Sequence, residues 1–254
     1  MVELNPKATV EKALGLFAAP VGLVPALDVD SWDEMLRLVE QTTNVPGVVG
    51  YKLGLTGVLP QGLPAAIRAL RNITDLPLIY DHQKAGPDMP DMAEKFAKFC
   101  SEAGADALIL FPVAGPQAVR SFVGETIRHG MVPVVGGHIP VPDYCISGGG
   151  FLVDDVLERI LAIAGDVGAN SFVLPANNTD ALRQKIDWMA NNVEQPVVFI
   201  TGFGSLGGDI SKAFLAAKAA PRKYAIVGRA VAASKSPTES AQRFVDAMMQ
   251  AALD

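Results

Sequence analysis

Short apolar runs alternate with amphipathic segments along almost the whole chain. Most of these runs are apolar throughout instead of alternating with polar residues, which is typical of parallel strands covered by helices. Eight runs have the length of strands, and they predict β-structure at residues 22–29, 48–54, 76–82, 105–112, 131–139, 170–177, 196–204 and 223–231. The pattern therefore favours an α/β protein with a mainly parallel sheet.

Segments with a helical period follow these strands. In the segment at 31–41, Ser31 stands three residues before Glu34, which is the spacing of a capping box. The segments at 178–192 and 236–253 open with similar capping residues. Each predicted strand is thus followed by a predicted helix, in the order that βαβ units require.

Eight strand–helix pairs without a linker predict a (β/α)8 TIM barrel, and a doubly wound open sheet is the second choice. We expect a single barrel domain at residues 22–254. Residues 1–21 are expected to be a short N-terminal extension, either an extra helix or an arm.

Composition narrows the possible partners. The chain has 254 residues, of which 50% are hydrophobic and 19% charged, and its formal net charge is −6. This balance fits one large core and argues against a nucleic-acid or anionic-membrane surface, although it allows a local basic pocket for one phosphate. No apolar stretch approaches the roughly 20 residues of a membrane span, and no signal peptide is recognisable, so we expect a cytoplasmic protein. Cys100 and Cys145 are too few for a disulfide framework and match no metal-ligand spacing.

Charged residues follow three neighbouring predicted strands. Asp28 ends the first strand, Lys52 lies near the end of the second, and Asp81 and Lys84 follow the third in PLIYDHQKAGPDMPD, residues 77–91. The carboxyl ends of barrel strands form the floor of the active site, so these side chains are expected to converge. Any one of them alone could be a solvated strand end, but four charges of mixed sign favour a site.

A phosphate site is predicted at the last two strand ends, where barrels of this type often bind phosphate. In ITGFGSLGGD, residues 200–209, glycines 204, 207 and 208 would let backbone N–H groups approach an anion, and a short helix is expected to begin near Gly208. Gly228 and Arg229 follow the eighth strand, and the guanidinium could bind phosphate in a bidentate manner. The alternative is that the glycines only turn a tight corner and that Arg229 caps a helix.

These motifs together resemble the orotidine 5′-monophosphate decarboxylases, in particular their archaeal-type branch. The resemblance covers about residues 22–247 and rests on five segments: ALD with Asp28, YKLG with Lys52, YDHQKAGPDMPD with Asp81, Lys84 and Asp88, then GFGSLGGD and VGR. It implies conversion of orotidine 5′-monophosphate to uridine 5′-monophosphate in pyrimidine biosynthesis, without metal or cofactor, by a carboxy-lyase. Related sugar-phosphate decarboxylases and aldolases have a glutamate at the position of Lys52 and use a divalent metal.

The resemblance also implies a role for each residue. Asp28 and Lys52 would hold the ribose hydroxyls, Asp81 would lie beside the carboxylate that is lost, and Lys84 would protonate carbon 6 of the pyrimidine. Asp88 would reach into the site of a second subunit, so a homodimer with shared sites is expected. The catalytic set is then Lys52, Asp81, Lys84 and Asp88, and the substrate-binding set is Asp28, Lys52, Gly204, Gly207, Gly208, Gly228 and Arg229.

Three features depart from the usual family pattern. The Asp81–Lys84–Asp88 spacing is one residue longer on each side than the usual form, although the archaeal-type branch has this longer form, and it requires the strand to break near residues 82–83. Leu206 stands where a glutamine usually bridges base and phosphate, and Pro140 stands about where a serine or threonine recognises the pyrimidine amide. Two alternatives therefore stay open: a divergent relative acting on another phosphoribosyl or sugar-phosphate substrate, and a catalytically idle nucleotide-binding protein.

Several other polar residues have an ordinary structural interpretation. His82 is expected to be a structural hydrogen-bonding residue more than a catalyst, and Asn178 could be either a ligand contact or the N-cap of a helix. The segment at 144–151 is interpreted as a loop over the barrel mouth, serving either as a lid or as a long connection.

Overall fold

The computed structural model describes residues 5–82, 89–203 and 208–253. These ranges contain eight parallel strands, and each overlaps one of the predicted runs. They are β1 (Val21–Pro25), β2 (Tyr51–Leu53), β3 (Leu78–Asp81), β4 (Ala107–Leu110), β5 (Val132–Val135), β6 (Ser171–Pro175), β7 (Val197–Thr201) and β8 (Arg222–Val227).

The strands pair in parallel in the order β1-β8-β7-β6-β5-β4-β3-β2. Backbone hydrogen bonds join the two ends of this order, because the Leu27 N–H donates to the Lys52 carbonyl at 2.8 Å and the Val49 N–H donates to the Leu23 carbonyl at 2.9 Å. The sheet therefore closes on itself. The predicted (β/α)8 barrel is confirmed, and the open doubly wound sheet is wrong.

The helices surround this barrel. They are α1 (Pro6–Leu16), α2 (Trp32–Thr42), α3 (Leu55–Val58), α4 (Leu63–Arg71), α5 (Ala93–Ala103), α6 (Pro116–Arg128), α7 (Val156–Val167), α8 (Thr179–Asn192), α9 (Ile210–Ala216), α10 (Arg229–Ala232) and α11 (Pro237–Leu253). Within the described ranges, no helix is both long enough and apolar enough to cross a membrane.

Side-chain caps fix where two of these helices begin. The Glu34 N–H donates to Ser31 Oγ at 3.2 Å, as the capping-box spacing predicts, and the Glu34 carboxylate accepts from the Asp30 N–H at 3.3 Å. Asn178 accepts from the Ala181 N–H at 3.0 Å. Asn178 is therefore the N-cap of α8, which is one of the two roles that the sequence allowed.

The barrel interior is closed at its amino-terminal end by the residues that follow α1. The Phe17 ring lies 5.0 Å from Phe199 and 5.7 Å from Tyr224, measured between ring centroids. The Tyr224 hydroxyl donates to the Phe17 carbonyl at 2.7 Å. Aromatic side chains fill this end of the barrel, so the interior is open to a ligand from the opposite end, where the strands have their carboxyl ends.

Candidate active site

The carboxyl ends of the strands surround a cavity of about 640 Å³. Among the described residues, four charged side chains line it: Lys52 lies in β2, Asp81 is the last residue of β3, and Asp28 and Arg229 follow β1 and β8. The other lining residues are Ala26, Ile109, Ile139, Pro140, Val141, Val173, Thr201, Gly202, Phe203, Ile226, Gly228 and Ala230. The predicted convergence of Asp28, Lys52 and Asp81 is therefore present.

Strand alternation explains why Asp81 points into the barrel. Ile79 belongs to the apolar cluster of the barrel interior, and Tyr80 belongs to the cluster between strands and helices. Since successive side chains of a strand point to opposite faces, Asp81 shares the inner face with Ile79. The strand thus delivers one carboxylate into the mouth of an otherwise apolar barrel.

Lys52 lies between two carboxylates. Its Nζ is 2.8 Å from Asp28 Oδ2 and 3.2 Å from Asp81 Oδ2. Lys52 is only 7% exposed and Asp81 only 3%, so these two are largely shielded from solvent, whereas the Asp28 side chain is 38% exposed. Charge-assisted hydrogen bonds of this kind are shorter and stronger than neutral ones, and here they hold three charges in fixed positions.

The electrostatic surroundings keep Lys52 charged. Burial lowers the pKa of the Lys52 ammonium, but the charges of Asp81 and Asp28 raise it more, so the pKa stands above the ordinary lysine value. The ammonium therefore stays protonated at neutral pH. It provides a fixed positive charge that can bind hydroxyl groups and hold the two carboxylates close to a bound substrate.

Gly54 permits this ion triad to form. A Cβ atom built at Gly54 would overlap Asp28 Oδ1 and would lie 3.3 Å from Lys52 Nζ. The absence of a side chain at Gly54 lets the Asp28 carboxylate lie directly against the end of β2. This is a physical reason for the glycine in YKLG, and the sequence alone did not identify it.

The predicted phosphate end lies between β7 and β8. Gly202 has a φ of +91°, which favours glycine, and its carbonyl accepts from the Gly208 N–H at 3.0 Å, so the two ends of the intervening loop lie together. Gly228 is the N-cap of α10, without a side-chain cap, and it lines the cavity together with Arg229. Backbone N–H groups at a helix start and a guanidinium can both bind an anion here.

A short helix does begin close to Gly208, as the sequence predicted. It is α9, which starts at Ile210, and Asp209 is its N-cap and accepts from the Lys212 N–H at 2.9 Å. Gly208 is not among the residues that line the cavity. Among the described residues, this end of the cavity is lined by Gly202 and Phe203 after β7 and by Gly228, Arg229 and Ala230 after β8.

Four residues of the predicted site lie outside the described ranges, namely Lys84, Asp88, Gly204 and Gly207, and so does Leu206, which departs from the family pattern. β3 ends at Asp81, so strand alternation places no constraint on the residues that follow.

His82 contacts the Tyr80 hydroxyl, and its ring lies 5.9 Å from that of Phe96, on the helix-facing side of β3. His82 thus has the structural role that the sequence favoured.

The loop at 144–151 is folded on itself beside the mouth. The Ile146 N–H donates to the Leu152 carbonyl and the Gly150 N–H to the Cys145 carbonyl, both at 2.8 Å. Gly150 could not carry a side chain, because a Cβ atom would overlap the carbonyl oxygens of Asp143 and Tyr144. These contacts make the segment a compact turn, and none of its residues lines the cavity.

The sequence missed the aliphatic and hydroxyl part of the lining, which includes Ile109, Val173, Thr201 and Ile226. Residues two apart in an extended segment point to the same face, as Ala26 and Asp28 do. Strand alternation, applied from one inward-pointing residue, would therefore have identified several of these lining residues. No group of three or more histidine, cysteine or acidic residues within the described ranges could hold a metal ion.

Comparison with known proteins gives consistent matches over nearly the full chain. The chain is 26% identical over 225 residues to the orotidine 5′-phosphate decarboxylase of Pyrococcus abyssi, covering 88% of this chain and 97% of that protein. It is 27% identical over 221 residues to the enzyme of the same name from Methanosarcina barkeri, covering 87% and 91%.

Solved structures match the fold. The crystal structure of orotidine 5′-monophosphate decarboxylase from Methanocaldococcus jannaschii, complexed with the inhibitor BMP, superposes with a TM-score of 0.75 at 23% identity, covering 91% of this chain and 99% of the other. The family model described as "Orotidine 5'-phosphate decarboxylase / HUMPS family" matches residues 22–244. Since this match spans most of its 254 residues, the chain belongs to the orotidine 5′-phosphate decarboxylase / HUMPS family.

Proposed function

We propose that the protein converts orotidine 5′-monophosphate to uridine 5′-monophosphate and CO2 in pyrimidine biosynthesis. The observation that carries the proposal is Lys52, held between Asp28 and Asp81 at the mouth of the barrel. A lysine at this position separates the chain from the relatives that have a glutamate there and use a metal. The relatives from Pyrococcus abyssi and Methanosarcina barkeri, which the chain matches over 97% and 91% of their own length, carry the name of this enzyme.

The polar side of the cavity would hold the phosphate and the ribose. Arg229 and the backbone of Gly202 and Gly228 would bind the phosphate, together with Gly204, Gly207 and Gly208 of the β7 loop, as the resemblance implies. Asp28 and Lys52 would bind the ribose hydroxyls. The base would then extend from Lys52 and Asp81 toward the ends of β4, β5 and β6.

Catalysis would depend on the charges around carbon 6 of the base. The bond between carbon 6 and the carboxylate breaks, CO2 leaves, and the electron pair remains on carbon 6. Lys84 would give that carbon a proton, and Asp81 would lie beside the departing carboxylate. Lys52 holds the Asp81 carboxylate in position, so this charge is in place before the reaction begins.

The direct test is product formation by the purified protein after exhaustive treatment with EDTA. We expect uridine 5′-monophosphate and CO2 in equal amounts, at the same rate with and without the chelator, because Lys52 occupies the space between the two cavity carboxylates. A loss of activity in EDTA that Mg²⁺ restores would favour a metal-dependent relative. Tight nucleotide binding without turnover would favour the alternative of a catalytically idle nucleotide-binding protein. A buried charge array argues against idleness, because desolvating these charges gives a simple binding protein no benefit.

We further propose a cytoplasmic homodimer with shared sites. Four large apolar side chains are exposed on the α3–α5 side of the barrel, namely Leu59, Met89, Met92 and Phe99, and we call them the α3–α5 patch. Leu59 is 70% exposed, and Met89 and Phe99 are each 65% exposed. Met89 directly follows Asp88, so a second copy seated on this patch would lie next to the aspartate assigned to the partner's site.

Mixing two inactive variants, Asp88→Ala and Lys84→Ala, is expected to restore activity. In a mixed dimer, one site has Lys84 from its own subunit and Asp88 from the other, while the second site lacks both. With statistical exchange, half of the dimers are mixed, so about a quarter of the wild-type rate should return. Subunit exchange is followed with differently tagged chains. Full exchange without any recovery would exclude a shared site.

Gly54→Ala is expected to weaken binding of uridine 5′-monophosphate about tenfold or more. The new methyl group would displace the Asp28 carboxylate, and a hydrogen bond to a charged group contributes about 1.5–3 kcal/mol. Calorimetry measures the affinity, with Gly15→Ala as the control, because nothing lies within 4 Å of a Cβ atom at Gly15. In an Asp28→Ala background the Gly54 substitution should have little further effect. Additive losses would mean that Gly54 does not act through Asp28.

A further inference from the structure

The cavity is divided into a polar side and an apolar side. Its polar side chains lie in β2, β3 and β7 or follow β1 and β8. Between them lies a continuous wall at the ends of β4, β5 and β6, formed by Ile109, Ile139, Pro140, Val141 and Val173, which we call the aliphatic wall. Within the described residues, no side chain of this wall has a hydrogen-bonding group.

The loop after β5 uses several of its polar groups internally. The Val141 N–H donates to the Ile139 carbonyl at 2.8 Å, and Pro140 has no N–H. The Tyr144 hydroxyl donates to the Gly137 carbonyl at 3.1 Å, and the His138 ring packs against Tyr144 with 5.2 Å between centroids. The loop therefore presents aliphatic groups to the cavity.

We propose that this site takes pyrimidine nucleotides with little discrimination between a 4-oxo and a 4-amino base. The inference rests on the proposed function, which places the phosphate at Arg229, the ribose at Asp28 and the distal edge of the base against the aliphatic wall. To distinguish uracil from cytosine, the protein needs a hydrogen-bond donor or acceptor that faces positions 3 and 4 of the ring. An aliphatic wall rejects neither base strongly. A site built to hydrogen-bond one group of a ligand can instead reject an analogue that lacks this group by about 10⁴-fold.

The first experiment compares two product-like ligands, uridine 5′-monophosphate and cytidine 5′-monophosphate, by calorimetry with the wild-type protein. We expect dissociation constants within about threefold of each other, because the phosphate and ribose contacts are common to both. A preference for uridine above about thirtyfold, roughly 2 kcal/mol, would overturn the inference and leave the proposed function intact. Failure of both nucleotides to bind would overturn the proposed function and this inference together.

The second experiment adds a hydrogen-bonding group to the wall. Pro140→Ser supplies a hydroxyl and a backbone N–H at the cavity surface, and we expect it to change the ratio of the two dissociation constants about tenfold. Pro142→Ser is the matched control, because Pro142 is exposed in the same loop and does not line the cavity. The control should keep the wild-type ratio. A folded Pro140→Ser protein with the wild-type ratio would mean that the base does not reach Pro140.

Discussion

Lys52→Met is expected to remove measurable turnover and to destabilise the protein by about 3 kcal/mol. Methionine keeps the length of the side chain and its apolar stem but removes the charge, so Asp81 and Asp28 lose the ammonium that they share. Removing one partner of a buried ion pair costs about 3–5 kcal/mol, and we use the lower figure because Asp28 is partly exposed. Denaturant unfolding and product formation measure the two effects.

The stability difference should have a characteristic pH dependence. Since the folded protein raises the pKa of Lys52, the stabilisation is complete below the pKa of an unfolded lysine and is lost only as the pH rises through the folded value. The difference between wild type and variant should therefore stay constant between about pH 6 and pH 9. A difference that disappears within this range would mean that Lys52 is not held as a buried cation.

A second lysine serves as a control, because its replacement removes a positive charge without disturbing the triad of Lys52, Asp28 and Asp81. Lys185 forms an ion pair with Glu158 at 2.9 Å, away from the cavity lining, and Glu158 is half exposed. Lys185→Met should lower stability by less than about 1 kcal/mol and leave turnover near the wild-type rate. A Lys52→Met protein that retains a tenth of the wild-type rate would exclude the role proposed for Lys52.

The sequence identified every strand because the strands of a closed barrel are buried on both faces. It overestimated their lengths because apolar character reports burial and not hydrogen bonding between strands. The run predicted at 131–139 ends as β5 at Val135, although Gly136 and Gly137 beyond it are still buried. Gly136 illustrates this, since a Cβ atom there would lie 2.6 Å from side-chain atoms of Phe111 and Val173.

The same reasoning separates the predictable part of the site from the rest. Asp28, Lys52 and Asp81 were predictable because a charged residue directly after a buried strand is unusual and the fold brings those strand ends together. Gly54 was not, because its importance is a distance to Asp28 that no local pattern contains. Apart from Pro140, the residues of the aliphatic wall did not stand out from the sequence, because they have the same composition as the core around them.

Lys84→Ala is expected to lower turnover by at least about 10³-fold, with the fold and the affinity for uridine 5′-monophosphate little changed. A positioned general acid contributes about 10²–10⁴-fold, and the ammonium would also stabilise the electron pair left on carbon 6. Product formation and calorimetry with the same preparation separate catalysis from binding. Lys95→Ala is the control, because Lys95 is exposed in the first turn of α5, which follows the same loop.

Chemical rescue tests whether the missing group is the ammonium itself. Lys84→Cys should be inactive, and alkylation with 2-bromoethylamine converts the new cysteine into a close analogue of lysine. The native thiols should react slowly, because burial raises the pKa of Cys100 to about 12 and also raises that of Cys145, and the thiolate is the reactive form. We expect alkylation to restore at least a tenth of the wild-type rate, and the same treatment to leave Lys84→Ala inactive. If Lys84→Ala retained a tenth of the wild-type rate, or if the alkylated cysteine variant stayed inactive while still binding uridine 5′-monophosphate, Lys84 would not be the proton donor.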